Sequence, residues 1–565
     1  MEMCNKILLV AINSKYIHSN LAVMCLKAVV QPYEDNVEIA EYTINNRMED
    51  ILRGIYEEKP DVIGFSCYIW NISLVKELIT ELNKLLPHVP IWLGGPEVTY
   101  CAGEYVCTYP NVAGVMKGEG ELIFKEITAC YMENRIDDLK KIPGIVMCSN
   151  GELTDNPCPP PIDMNKINIA YDTEFLEHKI IYYESSRGCP FSCSYCLSSV
   201  DKKLRFRDFS KVSDDLKMFI DHGVKQVKFV DRTFNCKKSH AMDIWRFIKE
   251  NDKGITNFHF EIAADLLDDE EIELLNSMRP GLVQLEIGVQ STNMHTIEAI
   301  HRKMNLEKLA HNISGIKQAG NIHIHLDLIA GLPYEDINSF SKSFNDIYAM
   351  KPDQLQLGFL KILHGSLMSE EKDKYGIVCI NRPPYEVLFT SWLTYEDILK
   401  LKLIENVVEM FYNSGMAVAG IKYLEGYFEN AFTMYLKLGI LYDDKYPSGS
   451  LPSRNAKYEL LYEFAKPYMK EKELLVLTQL LKYDMLTGDN LKSLPAFLEP
   501  DYEAAAMARA LIPERKLTKA EHVEIFDVDV LTFVDSGKIV YGKFPLYFNY
   551  LQRDALTNKA FIKEL

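Results

Sequence analysis

At 565 residues the chain is too long for one hydrophobic core, and its length corresponds to about three or four domains. A hydrophobic fraction of 47% beside 25% charged residues is that of a folded soluble protein, and no run reaches the roughly 18 to 20 apolar residues of a membrane span. The formal net charge of −18 disfavours nucleic acid as a partner, because phosphate contacts need clustered Lys and Arg.

The chain begins Met1-Glu2-Met3-Cys4-Asn5-Lys6, and the short run Ile7–Ala11 lacks the length and cleavage pattern of a signal peptide, so a cytoplasmic protein is expected. Its thirteen cysteines follow no repeated framework and read as reduced thiols. Over residues 1–157, five strand-like segments (Lys6–Ala11, Val37–Tyr42, Asp61–Phe65, Ile91–Gly95, Gly114–Met116) alternate with helical ones. That alternation predicts a doubly wound parallel sheet with a ligand site outside the carboxyl ends of the strands. At those ends lie Ser66-Cys67-Tyr68-Ile69-Trp70-Asn71, Gly94-Gly95-Pro96-Glu97 and Lys117–Glu121. The arrangement resembles the cobalamin-binding domain that precedes many radical S-adenosylmethionine (SAM) domains, with Ser66, Gly94 and Gly95 at its Ser and Gly-Gly landmarks. The D-x-H-x-x-G motif that supplies a lower cobalt ligand in that family is absent. His18 stands without its Asp and Gly and is a weak candidate.

Gly144–Cys148 reads as half of a hairpin turning at Ser149-Asn150-Gly151, and Pro157-Cys158-Pro159-Pro160-Pro161 marks a stiff linker over 158–174. The next strand, Ile180–Tyr183, leads into Ser186-Arg187-Gly188-Cys189-Pro190-Phe191-Ser192-Cys193-Ser194-Tyr195-Cys196. Three thiolates on one tight loop, spaced C-x3-C-x2-C, suit a 4Fe-4S cluster with one iron left open, whereas a structural zinc site wants four ligands. Five further strand segments follow, at Gln226–Val230, Phe258–Ile262, Leu282–Ile287, Ile322–Leu328 and Leu355–Leu360, each ending in polar or glycine-rich residues. Six strands with helices between them predict a partial (β/α)6 TIM-like barrel whose chemistry sits at the C-terminal mouth. Glu286, His323, His325, Asp327 and Lys361 fall at interior positions, as substrate contacts, proton donors or satisfied core groups. Lys202-Lys203-Leu204-Arg205-Phe206-Arg207 is a locally basic run, either a solvated loop or a holder of substrate carboxylate or phosphate.

The cysteine spacing, with Tyr195 before the last thiol, resembles the signature of the radical SAM superfamily over roughly residues 175–370. The resemblance implies that Cys189, Cys193 and Cys196 ligate the cluster, and that its open iron chelates SAM. Reductive cleavage then gives a 5'-deoxyadenosyl radical, with a low-potential donor such as flavodoxin or ferredoxin as electron source. It also implies that Gly288, Gln290 and Ser291 lie near the SAM ribose and methionine moiety, Gly331 near adenine, and Asp231 near the SAM amino group, although the family's Gly-Gly-Glu form is missing.

Over residues 371–565 amphipathic helices are expected at Thr394–Gly415, Lys457–Phe464 and Glu471–Tyr483. A terminal hairpin pairs Glu524–Thr532 with Lys538–Tyr541 around Ser536-Gly537. The overall expectation is an α/β protein: flavodoxin-like sheet, partial barrel and mainly helical C-terminal domain. The cofactors it implies are a 4Fe-4S cluster, SAM and cobalamin, and the commoner implied reaction is methylation of an unactivated carbon of an unknown substrate. Other relatives carry out rearrangement or cyclisation. A methylthiotransferase-like enzyme with a second cluster at Cys67, Cys101 and Cys107, and a non-catalytic cobalamin or redox sensor, are the alternatives.

Overall fold

The computed structural model describes residues 4–149, 151–447, 450–491, 495–498, 507, 510, 517–554 and 556–565; the turn residue Asn150 and the initial Met1–Met3 lie outside them. The chain divides into two compact units. The first comprises Met1–Leu274 with Ile300–Lys303 and Leu360–Leu388, and the second Leu275–Ala299, Met304–Phe359 and Phe389–Leu565. No helix among the described residues is long and apolar enough to cross a membrane.

The first unit opens with β1 (Ile7–Asn13), β2 (Val37–Thr43), β3 (Val62–Ser66), β4 (Ile91–Gly94), β5 (Val112–Met116), β6 (Ile145–Ser149) and β7 (Glu152–Asp155). They form one sheet in the order β2-β1-β3-β4-β5-β6-β7, parallel through β5 and antiparallel for β6 and β7. The order 2-1-3-4-5 is that of flavodoxin-like sheets, as expected. Both faces of β1 are buried. Leu8, Val10 and Ile12 pack with Val75, Leu78 and Ile79 of the helix Ile72–Leu85, while Ile7, Leu9 and Ala11 pack with Ile123, Phe124 and Ile127 of the helix Glu121–Met132. Each such aliphatic side chain contributes roughly 1.5 to 3 kcal/mol by leaving water. Within the segment 158–174, Ile162 and Ile167 are buried against Cys25 and Val29.

The same unit continues with β8 (Ile181–Tyr183), the two-residue strands β9 (Ser186–Arg187) and β10 (Arg205–Phe206), then β11 (Gln226–Phe229) and β12 (Asn257–Ile262). β8, β11 and β12 run parallel in that order, and the cysteine loop lies between β9 and β10, which pair antiparallel. A short ribbon, β16 (Val378–Cys379) with β17 (Val387–Phe389), is added farther along the chain.

In the second unit β13 (Val283–Gln290), β14 (His323–Ala330) and β15 (Gln354–Phe359) also run parallel. These three, like β8, β11 and β12, fall on the six segments from which the sequence predicts a partial (β/α)6 barrel. The capping box of Thr394 with Asp397 starts the helix Tyr395–Val407, which widens into a π-helix over Val408–Asn413 before Gly415 at φ 63°. The widened turn places the Asn413 amide on β15, where it accepts from Leu355 N (2.9 Å) and donates to Leu355 O (3.0 Å). A side chain thus satisfies two groups of an edge strand, which otherwise invites foreign pairing.

Two helices that the sequence reading did not single out, Val418–Glu425 and Ala431–Lys445, complete this region with Arg454–Ala465 and Glu471–Gly488. The chain ends in β18 (Glu521–Val528), β19 (Tyr541–Arg553) and β20 (Ala560–Glu564), all antiparallel. The expected hairpin over Glu524–Thr532 and Lys538–Tyr541 is therefore corrected. A helix, Val530–Ser536, intervenes, capped by Asp529 accepting from Thr532 N at 2.9 Å and closed by left-handed Gly537. Val530 and Phe533 are buried on one face of it, a helical period that the short segment concealed.

Candidate cofactor site

In the first unit, β9 and β10 bring the two ends of the cysteine loop together. Gly188 has φ 91°, and a Cβ there would lie 2.5 Å from Lys203 O, so only glycine permits this close approach. Cys189 N donates to Asp201 O at 2.9 Å, and Lys202 Nζ reaches Phe191 O and, at 3.0 Å, Ser192 Oγ. Ser194 is held on both backbone groups, donating to Ile300 O (2.9 Å) and accepting from Met368 N (2.8 Å). Arg302 Nη1 donates to Tyr195 Oη at 3.2 Å and approaches Cys193 Sγ at 3.8 Å. Burial raises the Cys193 thiol pKa and the Arg302 charge opposes that rise, which favours the thiolate that an iron ligand must be.

Two arginines anchor this loop to the edge of the N-terminal sheet. Arg187 pairs with Glu121 (2.6 Å) and Glu184 (2.8 Å), while Arg205 pairs with Glu119 and with Asp201 (2.9 Å). Arg207 pairs with Asp215 at 2.9 Å and donates to Ile167 O. The arginines of the basic run are therefore taken up by the protein's own carboxylates and carbonyls.

Asp231, expected at the SAM amino group, lies fully buried after β11, accepting from Ser185 N (3.0 Å), Ser185 Oγ (2.6 Å) and Ser186 Oγ (2.5 Å). His240 Nε2 stands 2.8 Å from the same Ser185 hydroxyl. Burial pushes the Asp231 carboxyl up to about 6 against those hydrogen bonds. The carboxylate's observed partners thus lie on the segment that leads into the cysteine loop.

The three thiols fit a cluster by their chemistry and setting. Cys189 and Cys193 are buried, Cys196 is half-buried, and the Ser194 hydroxyl between the last two is buried without a protein partner. Among the described residues no group of three His, Cys, Asp or Glu side chains converges as around a single ion. A 4Fe-4S cube takes each thiolate at a separate iron, which spaces the ligands more widely. The alternative second set differs in setting. Cys67 is fully buried in the sheet core with Sγ on Phe65 O, Cys101 bonds Glu97 O, and Cys107 is exposed on a helix beside Cys148.

At the carboxyl edge of the N-terminal sheet, Ser66 Oγ accepts from Asn20 Nδ2 at 3.3 Å, and Asn71 Nδ2 bridges Ile12 O (3.1 Å) and Ser66 O (2.9 Å). Gly95 has φ 117°, and a Cβ there would sit 2.4 Å from Cys67 O; at Gly94 it would meet the Met116 side chain. Glu97 is buried and accepts from Tyr385 Oη. Tyr68 and Trp70 stack with ring centroids 4.3 Å apart at 7°, and Trp70 is 45% exposed. A flat, partly exposed aromatic pair beside small residues fits the plane of a corrin. His18 is instead bonded to Tyr182 Oη (3.0 Å).

In the second unit, a register shift after Gly288 ends β13, with Gln290 at φ 73° and its Oε1 buried without a protein partner. That unmade bond fits a ligand held at this turn. Ser291 is fully buried and donates to Glu335 Oε1 at 2.6 Å, and Ser343 donates to the same oxygen at 2.8 Å. Asn293 Nδ2 donates to Tyr334 O (2.8 Å), and Thr296 Oγ1 to Pro333 O (2.9 Å). The Gly288–Ser291 turn is thereby clasped to the loop that begins at Gly331, a buried glycine with φ 92°. Burial pushes the Glu335 carboxyl up to about 7. Ser291, expected to contact SAM, thus spends its hydroxyl within the clasp, and Glu335 is a residue that sequence reasoning missed.

Three family models match: B12 binding domain over residues 7–128, Radical SAM superfamily over 183–347, and a protein family of unknown function, DUF4080, over 373–544. The chain is similar to the cobalamin-dependent radical SAM methyltransferase TokK of Streptomyces tokunonensis, at 26% identity over 364 residues, 60% of this chain and 52% of that protein. It is equally similar, at 26% over 318 residues, to the 2-(S-pantetheinyl)-carbapenam-3-carboxylate methyltransferase of Streptantibioticus cattleyicolor, covering 52% of this chain and 45% of that one. The chain thus matches about half the length of these relatives. Among solved structures, the cobalamin-dependent S-adenosylmethionine radical enzyme OxsB with aqua-cobalamin and S-adenosylmethionine bound shares the fold, at TM-score 0.58 and 13% identity over 86% of this chain and 79% of that one. The chain thus carries a domain that matches the Radical SAM superfamily, preceded by an N-terminal one that matches the B12 binding domain.

Proposed function

We propose that this chain is a cobalamin-dependent radical SAM enzyme that methylates an unactivated carbon of its substrate. The observation that carries the reading is the cysteine loop itself: three thiols at C-x3-C-x2-C, two of them buried, on a loop pinned by Arg187, Arg205 and Arg302 within a radical SAM match that follows a B12 binding match. Similarity to two methyltransferases supports methylation as the reaction.

In this reading Cys189, Cys193 and Cys196 hold the cluster, and Gly288, Gln290 and Gly331 line the SAM site. Ser66, Gly94 and Gly95 form the cobalamin edge with Tyr68 and Trp70. Ser291 and Asp231 act by position, the first through the Glu335 clasp and the second by holding Ser185 and Ser186 ahead of the cysteine loop. Once bound, the cofactors supply reductive SAM cleavage and methyl transfer, while the protein supplies binding, orientation and exclusion of water. The electron comes from a low-potential donor of the flavodoxin or ferredoxin type.

Anaerobic reconstitution with iron, sulfide and hydroxocobalamin tests the reading. The expected result is about four irons per chain, a bound-cobalamin spectrum, and 5'-deoxyadenosine and S-adenosylhomocysteine from SAM under dithionite. About eight irons without cobalamin would favour the second-cluster alternative. Cofactor binding without any SAM cleavage would favour a sensor.

A further inference from the structure

In the first unit, the turn that ends β11 is fastened on both sides and presents one side chain between the fastenings. Val230 N extends the ladder to β8 by donating to Tyr183 O at 2.9 Å. Asp231 is held by the hydroxyls of Ser185 and Ser186. On the far side, Asn235 is buried and pairs twice with Ala263 just past β12, donating from Nδ2 to its O and accepting at Oδ1 from its N, both at 2.9 Å. Phe234 is fully buried, with ring centroids 5.3 Å from Phe229 and 4.3 Å from Phe260. Thr233 Oγ1 donates to Arg232 O at 2.9 Å and lies 3.9 Å from Cys189 Sγ, so the turn touches the cysteine loop.

Arg232 stands inside this bracket. It is exposed, and its guanidinium makes no hydrogen bond or ion pair with any described residue. The arginines around it differ, since Arg187, Arg205 and Arg207 are each taken up by carboxylates. The carboxylates beside it are also spent, Asp231 on the serines and Glu184 on Arg187 at 2.8 Å. Burial raises the Glu184 carboxyl, and it pushes the Tyr68 hydroxyl up to about 12; the Arg232 charge is among those that oppose each rise. Its charge is therefore felt both at the segment entering the cysteine loop and at the aromatic pair of the cobalamin edge.

The fold draws nothing from a cation at this position, because Asp231, Phe234 and Asn235 already fasten the turn. What the bracket does is hold a guanidinium in place without giving it a partner. A guanidinium offers five N–H donors in a planar fork, which a carboxylate or phosphate fills with two parallel bonds. A rigid mount lowers the ordering cost that such a ligand would otherwise meet on binding.

We propose that Arg232 binds an anionic oxygen group of the substrate, a carboxylate or a phosphate, and holds it beside the cysteine loop. The inference rests on the radical SAM reading of that loop for its role, and on Arg232 and its bracket alone for the ligand class. The SAM carboxylate and the cobalamin phosphate carry the same chemistry, so the test separates them from a substrate group.

Phenylglyoxal adds to unengaged guanidinium groups, and peptide mass spectrometry reads the addition at each arginine. In the full-length chain reconstituted anaerobically with cluster and hydroxocobalamin, Arg232 should label faster than Arg187, Arg205 and Arg207. It should label about as fast as Arg382, an exposed arginine between β16 and β17. A site of millimolar affinity is about nine-tenths filled by about 10 mM inorganic phosphate or acetate, so either probe should slow labelling of Arg232 about tenfold. Arg382 should be unaffected, chloride at the same concentration should protect neither, and SAM alone should leave Arg232 reactive. Protection no better than that by chloride, or equal protection of Arg382, overturns the proposal. So does protection of Arg232 by SAM alone, or loss of its labelling when hydroxocobalamin joins the cluster-loaded chain, since either assigns the guanidinium to a cofactor. The iron count and cobalamin spectrum of the same samples judge the cofactor reading separately, while the response of Arg232 to phosphate and acetate is read whether or not the cofactors bind.

Discussion

Replacing Glu335 by glutamine should make the second unit less sensitive to rising pH. Glu335 is fully buried, with Ser291 and Ser343 both donating to Oε1, and its carboxyl is raised from 4.5 to about 7 by burial. Between those values the folded protein keeps a proton that the unfolded chain releases, so stability is full below pH 4.5 and falls as pH rises to about 7. At about 1.4 kcal/mol for each pH unit, the whole fall is about 3 kcal/mol. Glutamine keeps an acceptor for both serines and has no proton to lose. Glu335→Gln should therefore match wild type near pH 5 and exceed it by about 3 kcal/mol near pH 8, or roughly 5 to 10 °C in melting midpoint for a unit of a few hundred residues. Anaerobic scanning fluorimetry of both proteins at the two pH values reads this difference directly. A wild-type minus variant difference that stays constant from pH 5 to pH 8 would refute the argument. Glu335→Ala supplies the control: it strands two buried hydroxyls at about 1 to 3 kcal/mol each and should destabilise at both pH values.

Other perturbations follow from the same geometry. Asp484 is buried and accepts from Ala419 N (3.1 Å) and Gly420 N (2.8 Å), capping the helix Val418–Glu425; Asp484→Ala should cost about 2 to 4 kcal/mol, read as a lowered melting midpoint. Gly188→Ala places a Cβ 2.5 Å from Lys203 O at a left-handed φ and should reduce iron bound per chain while leaving the cobalamin spectrum intact. Arg187→Ala leaves Glu121 and Glu184 without their shared cation and should destabilise the first unit by about 3 to 5 kcal/mol, whereas Arg187→Lys should recover only part of that, since it cannot serve both carboxylates with one planar fork. Unchanged thermal stability in Arg187→Ala would mean that this anchor is not part of the fold's support.

The strands were legible because their burial is written in consecutive or alternating apolar residues. All six strands expected for the barrel lie within a few residues of the ranges read from the sequence, and the first sheet is of the expected flavodoxin-like kind. The capping box at Thr394 and the stop at Gly415 were likewise local signals. What the sequence concealed is nonlocal. Nothing in the run around Arg205 shows that Glu119, 86 residues earlier, takes its charge, nor that Arg187 reaches Glu121 across 66 residues. Ser291 and Asp231 carried family positions, but only the fold shows their oxygens engaged with Glu335 and with Ser185 and Ser186. The helix Val530–Ser536 was hidden for a different reason: seven residues give fewer than two full turns, too few for a helical period to stand out beside neighbouring strands.

The most direct test of the account is the electron paramagnetic resonance spectrum of the reduced, reconstituted protein before and after SAM is added. An iron left open by Cys189, Cys193 and Cys196 predicts a spectrum that shifts on SAM addition, and a signal that is absent in Cys193→Ala while bound cobalamin remains. A reduced-cluster signal that ignores SAM, or one that survives Cys193→Ala unchanged, would contradict it.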